Sequence, residues 1–311
     1  MTWSQNDLNR LTVCKPESVQ APEPDKSNSR VAFYALASIG RHRALQGKSG
    51  MKFQLIYDLT KREVLGRYRG SILGIFWSML TPLFMLGVYT FVFGSVFKAR
   101  WSIPGRQGSD HSMVEFAIIL FAGLIVFQIF SEVVSRAPSL ILSNANFVKK
   151  VVFPLEVLPV VATGAALFHG VISLAILLVF QIVFMNAVPW TIILVPVVLL
   201  PLIILILGLG WFFASFGTYL RDINQILVPI VSSMMFLSPI FFERKALPVG
   251  VQNWIVFNPI TIPAEQLREV MIFGILPDWT AYFCYLVVAL LVAFAGFRFF
   301  NMTRRGFADV I

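Results

Sequence analysis

Six stretches of this chain, roughly residues 71–97, 115–135, 155–185, 190–216, 223–242 and 280–300, are long and almost wholly apolar. A helix needs about 20 such residues to cross a bilayer, because lipid offers its backbone no other hydrogen-bond partners. The runs are too long for barrel strands and do not alternate as those do. The reading is an all-α membrane protein with six transmembrane helices. The third and fourth runs exceed the minimum, and Pro196 and Pro201 are expected to interrupt the fourth. Only 13% of the 311 residues are charged, against about a quarter in soluble domains, which agrees with lipid as the main solvent.

Six crossings place both termini on one side, and the Lys and Arg distribution selects the cytoplasm for them. Nineteen of the 25 basic residues fall on that side, twelve of them before residue 71. The net charge of +9 is then mostly topological, and a nucleic-acid partner is the weaker reading. Residues 1–50 are polar, carry Pro16, Pro22 and Pro24, and lack an apolar targeting core. They read as a disordered cytoplasmic tail. The remainder divides into an interfacial segment at 51–70, a membrane domain at 71–300 and a C-terminal tail at 301–311. Cys14 and Cys284 stand too far apart in character to frame a disulfide, and the three histidines are scattered. His169, inside an apolar run, is expected to be a packed polar residue facing protein.

Between the fifth and sixth runs, residues 243–279 include Trp254, Phe257, Ile272 and Phe273. This segment is too apolar for a free loop and too short for two crossings. It reads as short re-entrant helices dipping into the outer leaflet, with a plain packed loop as the alternative.

The stretch LGRYRGSILGIFWSMLTP, residues 65–82, sets arginines beside the first apolar run. Residues 51–69 are expected to form a helix lying in the inner interface. Phe53, Tyr57, Val64 and Tyr68 share one arc of it, and Lys61, Arg62, Arg67 and Arg69 face anionic headgroups. Glu63 and Arg67 stand in the favourable i,i+4 order and are expected to pair, as are Asp58 and Arg62. If the helix continues, Gly66, Gly70, Gly74 and Ser78 form a small-residue ridge for close helix packing. The alternatives are a hinge from interface into membrane and an ordinary charged flank.

No catalytic signature stands up. QGKSG at 46–50 imitates the end of a phosphate-binding loop, but His42 occupies the position that needs the first glycine. HExxH, GxSxG and GxGxxG are absent from the sequence. Glu132 lies four residues before Arg136 and is placed to pair with it. No acid lies deep in a span, which disfavours a proton-coupled carrier. Tyr89, Phe93 and Phe97, four apart, and Phe127 and Phe130 can face lipid, pack, or line a conduit past which flat sugar faces slide.

With these elements in order, residues 53–305 resemble the ABC-2 type membrane subunits that export polysaccharides such as O-antigen, capsule and teichoic acid. The resemblance is carried by RYRGSILGIFWSMLTPL, VYTFVFGSVF, FAGLIVFQIF, NANFVKKVVFPLEVLPVV, GTYLRDINQI, SPIFF and FNPI. The resemblance implies a homodimer that engages two copies of a separate ATPase. That partner holds the ATP and Mg, so this chain binds no cofactor and no metal and catalyses nothing. The cargo implied is a lipid-linked polysaccharide entering from the inner leaflet of the bacterial inner membrane. Asn144, Asn146, Phe147, Lys149 and Lys150 become candidates for ATPase contact, together with the helix carrying Arg67, Tyr68 and Arg69. For the two lysines, topological charge alone is the alternative. The five aromatics Tyr89, Phe93, Phe97, Phe127 and Phe130 become candidates for sugar contact. An ABC-2 exporter of a drug or lipid is the runner-up, and a membrane-embedded glycosyltransferase is a further alternative.

Overall fold

The computed structural model describes residues 48–92, 113–148, 153–185 and 188–311. Within them the secondary structure is helical throughout. The chain divides into two compact units, Met1–Gln54 and Leu55–Ile311. Helix α1 is Lys48–Tyr68, α2 is Trp77–Tyr89 and α3 is Met113–Arg136. Then follow α4, Val157–Met185, α5, Val195–Tyr219, and α6, Ile223–Phe236. Two short helices, α7, Val249–Ile255, and α8, Thr261–Arg268, precede the long α9, Trp279–Thr303.

Five helical stretches among the described residues are long and apolar enough to cross a membrane: Gly74–Val92, Val114–Ser139, Val157–Met185, Trp190–Tyr219 and Trp279–Gly306. The chain is therefore a multi-pass membrane protein. The run at 223–242 yields only the 14-residue α6, because Ser238 and Pro239 follow soon after Phe236 and the chain turns there. Pro201 does not break the fourth run. A 3₁₀ turn at Trp190–Leu194 leads into α5, and Pro201 is carried inside that helix.

Helix α3 is the central post. It packs against α4, α5, α6 and α8, and Ile118, Ile119, Leu120, Ala122 and Val126 are fully enclosed. α5 and α9 pair along their length. Two glycines permit that: a Cβ at Gly208 would lie 2.6 Å from the Ala293 backbone, and one at Gly296 would strike the Gly208 carbonyl. Apolar side chains gain little by meeting one another in lipid, so backbone contact of this kind is how helices hold together there.

The small-residue ridge expected before the first span does not form. α1 stops at Tyr68, and Gly70 (φ +86°) and Gly74 (φ +53°) adopt left-handed backbone that breaks the helix. The chain turns through them into α2, and a Cβ at Gly66, Gly70 or Gly74 would meet nothing within 4 Å of this chain. Gly70 and Gly74 serve the turn, and Gly66 lies within α1.

The segment after α6 is packed. Thr261, Ala264, Leu267 and Arg268 of α8 are buried. Helix α9 starts cleanly because the Asp278 carboxylate accepts from the backbone N–H of Thr280 and Ala281.

Candidate functional site

The polar groups of the bundle gather where α1 lies against α3 and α4. Thr60 of α1 approaches Gly164 of α4, where an added Cβ would sit 3.0 Å from the threonine side chain. One turn further, Glu63 pairs with Arg136, the last residue of α3. After another turn, Arg67 Nη2 lies 2.5 Å from Glu132 Oε1 on α3. The i,i+4 pairs expected within each helix, Glu63 with Arg67 and Glu132 with Arg136, give way to pairs between helices. The physical reason is burial: the Glu132 side chain is only 12% exposed, and docking α1 brings a second cation to a carboxylate that has lost most of its water.

His169 on α4 completes the group. Its ring is buried, as the sequence reading required, and it bridges two helices. Nδ1 lies 3.1 and 3.2 Å from the Glu132 oxygens and 3.4 Å from Arg67 Nη1, and Nε2 lies 3.0 Å from the Tyr68 hydroxyl. Burial pushes the Tyr68 phenol above its ordinary value, so the hydroxyl stays protonated and able to donate. The result is a seam of two ion pairs and a histidine that fastens α1 to α3 and α4.

The same helix reaches the loop after α3. The Arg62 guanidinium sits 5.5 Å from the centre of the Phe147 ring, which stacks on Phe153 at 4.5 Å. Asn144 is tied to its own turn through Leu140 O at 2.9 Å, and Asn146 is exposed. Two of the predicted contact elements, α1 and the 144–147 turn, are thus in touch. Lys149 and Lys150 lie outside the described residues. Asp58, Lys61, Arg62 and Tyr68 of α1, with Arg69, Gly74 and Ile75 after it, line a groove between this helix and the turn into α2.

Among the described residues, the aromatic candidates are Tyr89, Phe127 and Phe130. Phe130 is 1% exposed and is part of the core, so it offers no ring to a solute in this conformation. Tyr89 and Phe127 are half-buried against the same core. Phe93 and Phe97 lie outside the described residues.

One buried charge was missed. Arg268 of α8 is 2% exposed and donates to three main-chain carbonyls: Ile119 at 2.9 Å, Pro239 at 2.5 Å and Ile240 at 2.9 Å. Gly123 makes room, since a Cβ there would collide with the guanidinium. This clamp pins the segment after α6 to the central helix. An arginine between two apolar runs reads only as topological charge, and Gly123 in FAGLIVF was the one local hint of a close neighbour.

Comparison with known proteins points one way. The ABC-2 type transporter family model matches residues 54–272. An O-antigen export system permease protein of Myxococcus xanthus is 27% identical over 259 residues, 83% of this chain and 95% of that protein. One of the same title from Klebsiella pneumoniae is 22% identical over 264 residues, 84% of this chain and 96% of that protein. A polysialic acid transport protein of Escherichia coli is 25% identical over 266 residues, 82% of this chain and 96% of that protein.

Proposed function

We propose a transport role from one premise: the chain belongs to the ABC-2 type transporter family. Its role is permease subunit of an ATP-driven exporter that carries a polysaccharide across the bacterial inner membrane. The observation that carries this reading is the near end-to-end match to export permeases for O-antigen and polysialic acid, 95–96% of their lengths.

In this reading α6, with the segment that turns back after it, supplies the sixth crossing, and both termini face the cytoplasm. Residues 1–50 form the tail, 51–70 the interfacial helix, 71–300 the membrane domain and 301–311 the second tail. Two copies of the chain enclose the conduit. Each meets one ATPase through α1 and the turn at Asn144, Asn146 and Phe147, continuing into Lys149 and Lys150. Contact between Arg62 and Phe147 supports treating these as one surface. ATP binding draws the ATPases together, and α1 passes the displacement through the seam to α3 and α4. The lipid-linked glycan approaches from the inner leaflet, where the groove beside Asp58, Lys61, Arg62 and Arg69 sets three cations and one carboxylate among apolar walls, a net positive charge that suits an anionic amphiphile. Tyr89, Phe93, Phe97 and Phe127 are the rings assigned to the sugar path.

The test is co-purification with the candidate ATPase, followed by ATP hydrolysis with and without the lipid-linked polysaccharide extracted from the same cells. A stable complex whose hydrolysis responds to the glycan is the expected result. A chain that binds no ATPase, or a complex indifferent to the glycan and stimulated by a drug or a plain lipid, overturns the assignment.

A further inference from the structure

The four charges of the seam are arranged in a way that a fixed strut would not require. Glu63 precedes Arg67 by four residues on α1, and Glu132 precedes Arg136 by four residues on α3. The helices meet so that 63 faces 136 and 67 faces 132. Every charge therefore has two opposite charges within a helical turn or a side chain's length, one across the seam and one along its own helix. The order along each helix, acid before base, is the favourable one. In the conformation described here the cross pairs are made.

Two further observations bear on what happens when they open. Arg136 Nη1 is buried and has no hydrogen-bond partner among the described residues, so pairing with Glu63 leaves one donor idle. The two pairs are also unequal in shielding. Arg136 and Glu63 are 37% and 34% exposed, whereas Glu132 is 12% exposed. Opening would begin at the wetter pair and end at the drier one, where His169 Nδ1 lies 3.1 Å from Glu132.

We propose that Glu63, Arg67, Glu132 and Arg136 are positioning residues that form an exchange latch. They pair across α1 and α3 in this conformation and along each helix when α1 swings away. Each carboxylate exchanges one guanidinium for another, so neither state strands a charge in a dry site. The seam can then hold α1 firmly and still release it. The proposal rests on the transport reading only for the cause of the swing. The exchange itself follows from the register of the two helices.

The test places nitroxide labels at positions 57 and 139, both exposed, in the full chain with Cys14 and Cys284 replaced by Ser, in complex with its ATPase in lipid nanodiscs. Distances are recorded with and without ATP. Two distance populations are expected, the longer one gaining with nucleotide. Glu63→Arg/Arg136→Glu rebuilds the cross pair but sets like charges one turn apart on each helix, so it penalises the released state more than the docked one, in which every charge keeps a partner across the seam. It should suppress the longer population about tenfold and slow transfer of the extracted lipid-linked polysaccharide by a similar factor. Glu63→Gln/Arg136→Gln removes one cross pair and both along-helix pairs, so it should suppress the longer population less than the reversal does. Wild-type distances in the charge-reversed protein would overturn the latch, as would equal or greater suppression in the glutamine variant. The distance readout decides this even where no glycan moves, which separates failure of the latch from failure of the transport assignment.

Discussion

Removing Arg67 and leaving Glu132 in place tests the seam by its sign as well as its size. In Arg67→Ala the Glu132 carboxylate, 12% exposed, loses the Arg67 guanidinium and keeps its contact with His169. Exposed ion pairs are worth about 0.2–1 kcal/mol and breaking a fully buried one costs about 3–5 kcal/mol. Arg67 is 29% exposed, so the loss falls between these limits, at about 2 kcal/mol. For a chain of this size that corresponds to an apparent melting temperature lower by roughly 3 °C. The assay is thermal unfolding of the purified protein in one detergent, for Arg67→Ala, Glu132→Gln and the two combined. Because the cost comes from a stranded carboxylate, adding Glu132→Gln to Arg67→Ala should recover at least about half of the loss. If the second substitution adds to the damage, the pair is not the source of the stability and the reasoning fails.

Two further outcomes follow from the packing and the turn. Gly208→Val drives a side chain into the Ala293 backbone 2.6 Å away, and should separate α5 from α9, read as loss of monodisperse protein in gel filtration. Gly70→Ala, at φ +86°, should cost about 1 kcal/mol in the same melting assay, while Gly66→Ala, with open space and no positive φ, should be neutral or slightly stabilising.

How far the molecule could be read from residues alone depended on the range of the force involved. Lipid demands a contiguous apolar run, so the expected 155–185 and 280–300 agree closely with Val157–Met185 and Trp279–Thr303. The first run starts late because Gly70 and Gly74 take up positive φ, which their spacing in the sequence also allowed to be a packing ridge. For Glu63 and Glu132 the local i,i+4 partner was visible, and the partner actually taken lay 73 residues away for Glu63 and 65 away for Glu132. That choice depends on how α1 docks, which a single sequence does not encode in any local pattern. The tyrosine and histidine of the seam illustrate the same point. Tyr68 was read as one of an apolar arc and His169 as a packed polar residue, and both readings stand, yet the 3.0 Å bond between them belongs to the tertiary fold. Arg268 was unreadable for a related reason: its burial is made by Gly123 and by carbonyls of Ile119, Pro239 and Ile240, from two distant segments.

The central claim is that this ABC-2 type protein forms a conduit and takes its energy from a partner. The direct measurement is movement of the extracted lipid-linked polysaccharide across proteoliposomes that contain the chain alone, the ATPase alone, or both, with and without ATP. The account predicts transfer only when both proteins and ATP are present. Uphill transfer by the chain alone would contradict it.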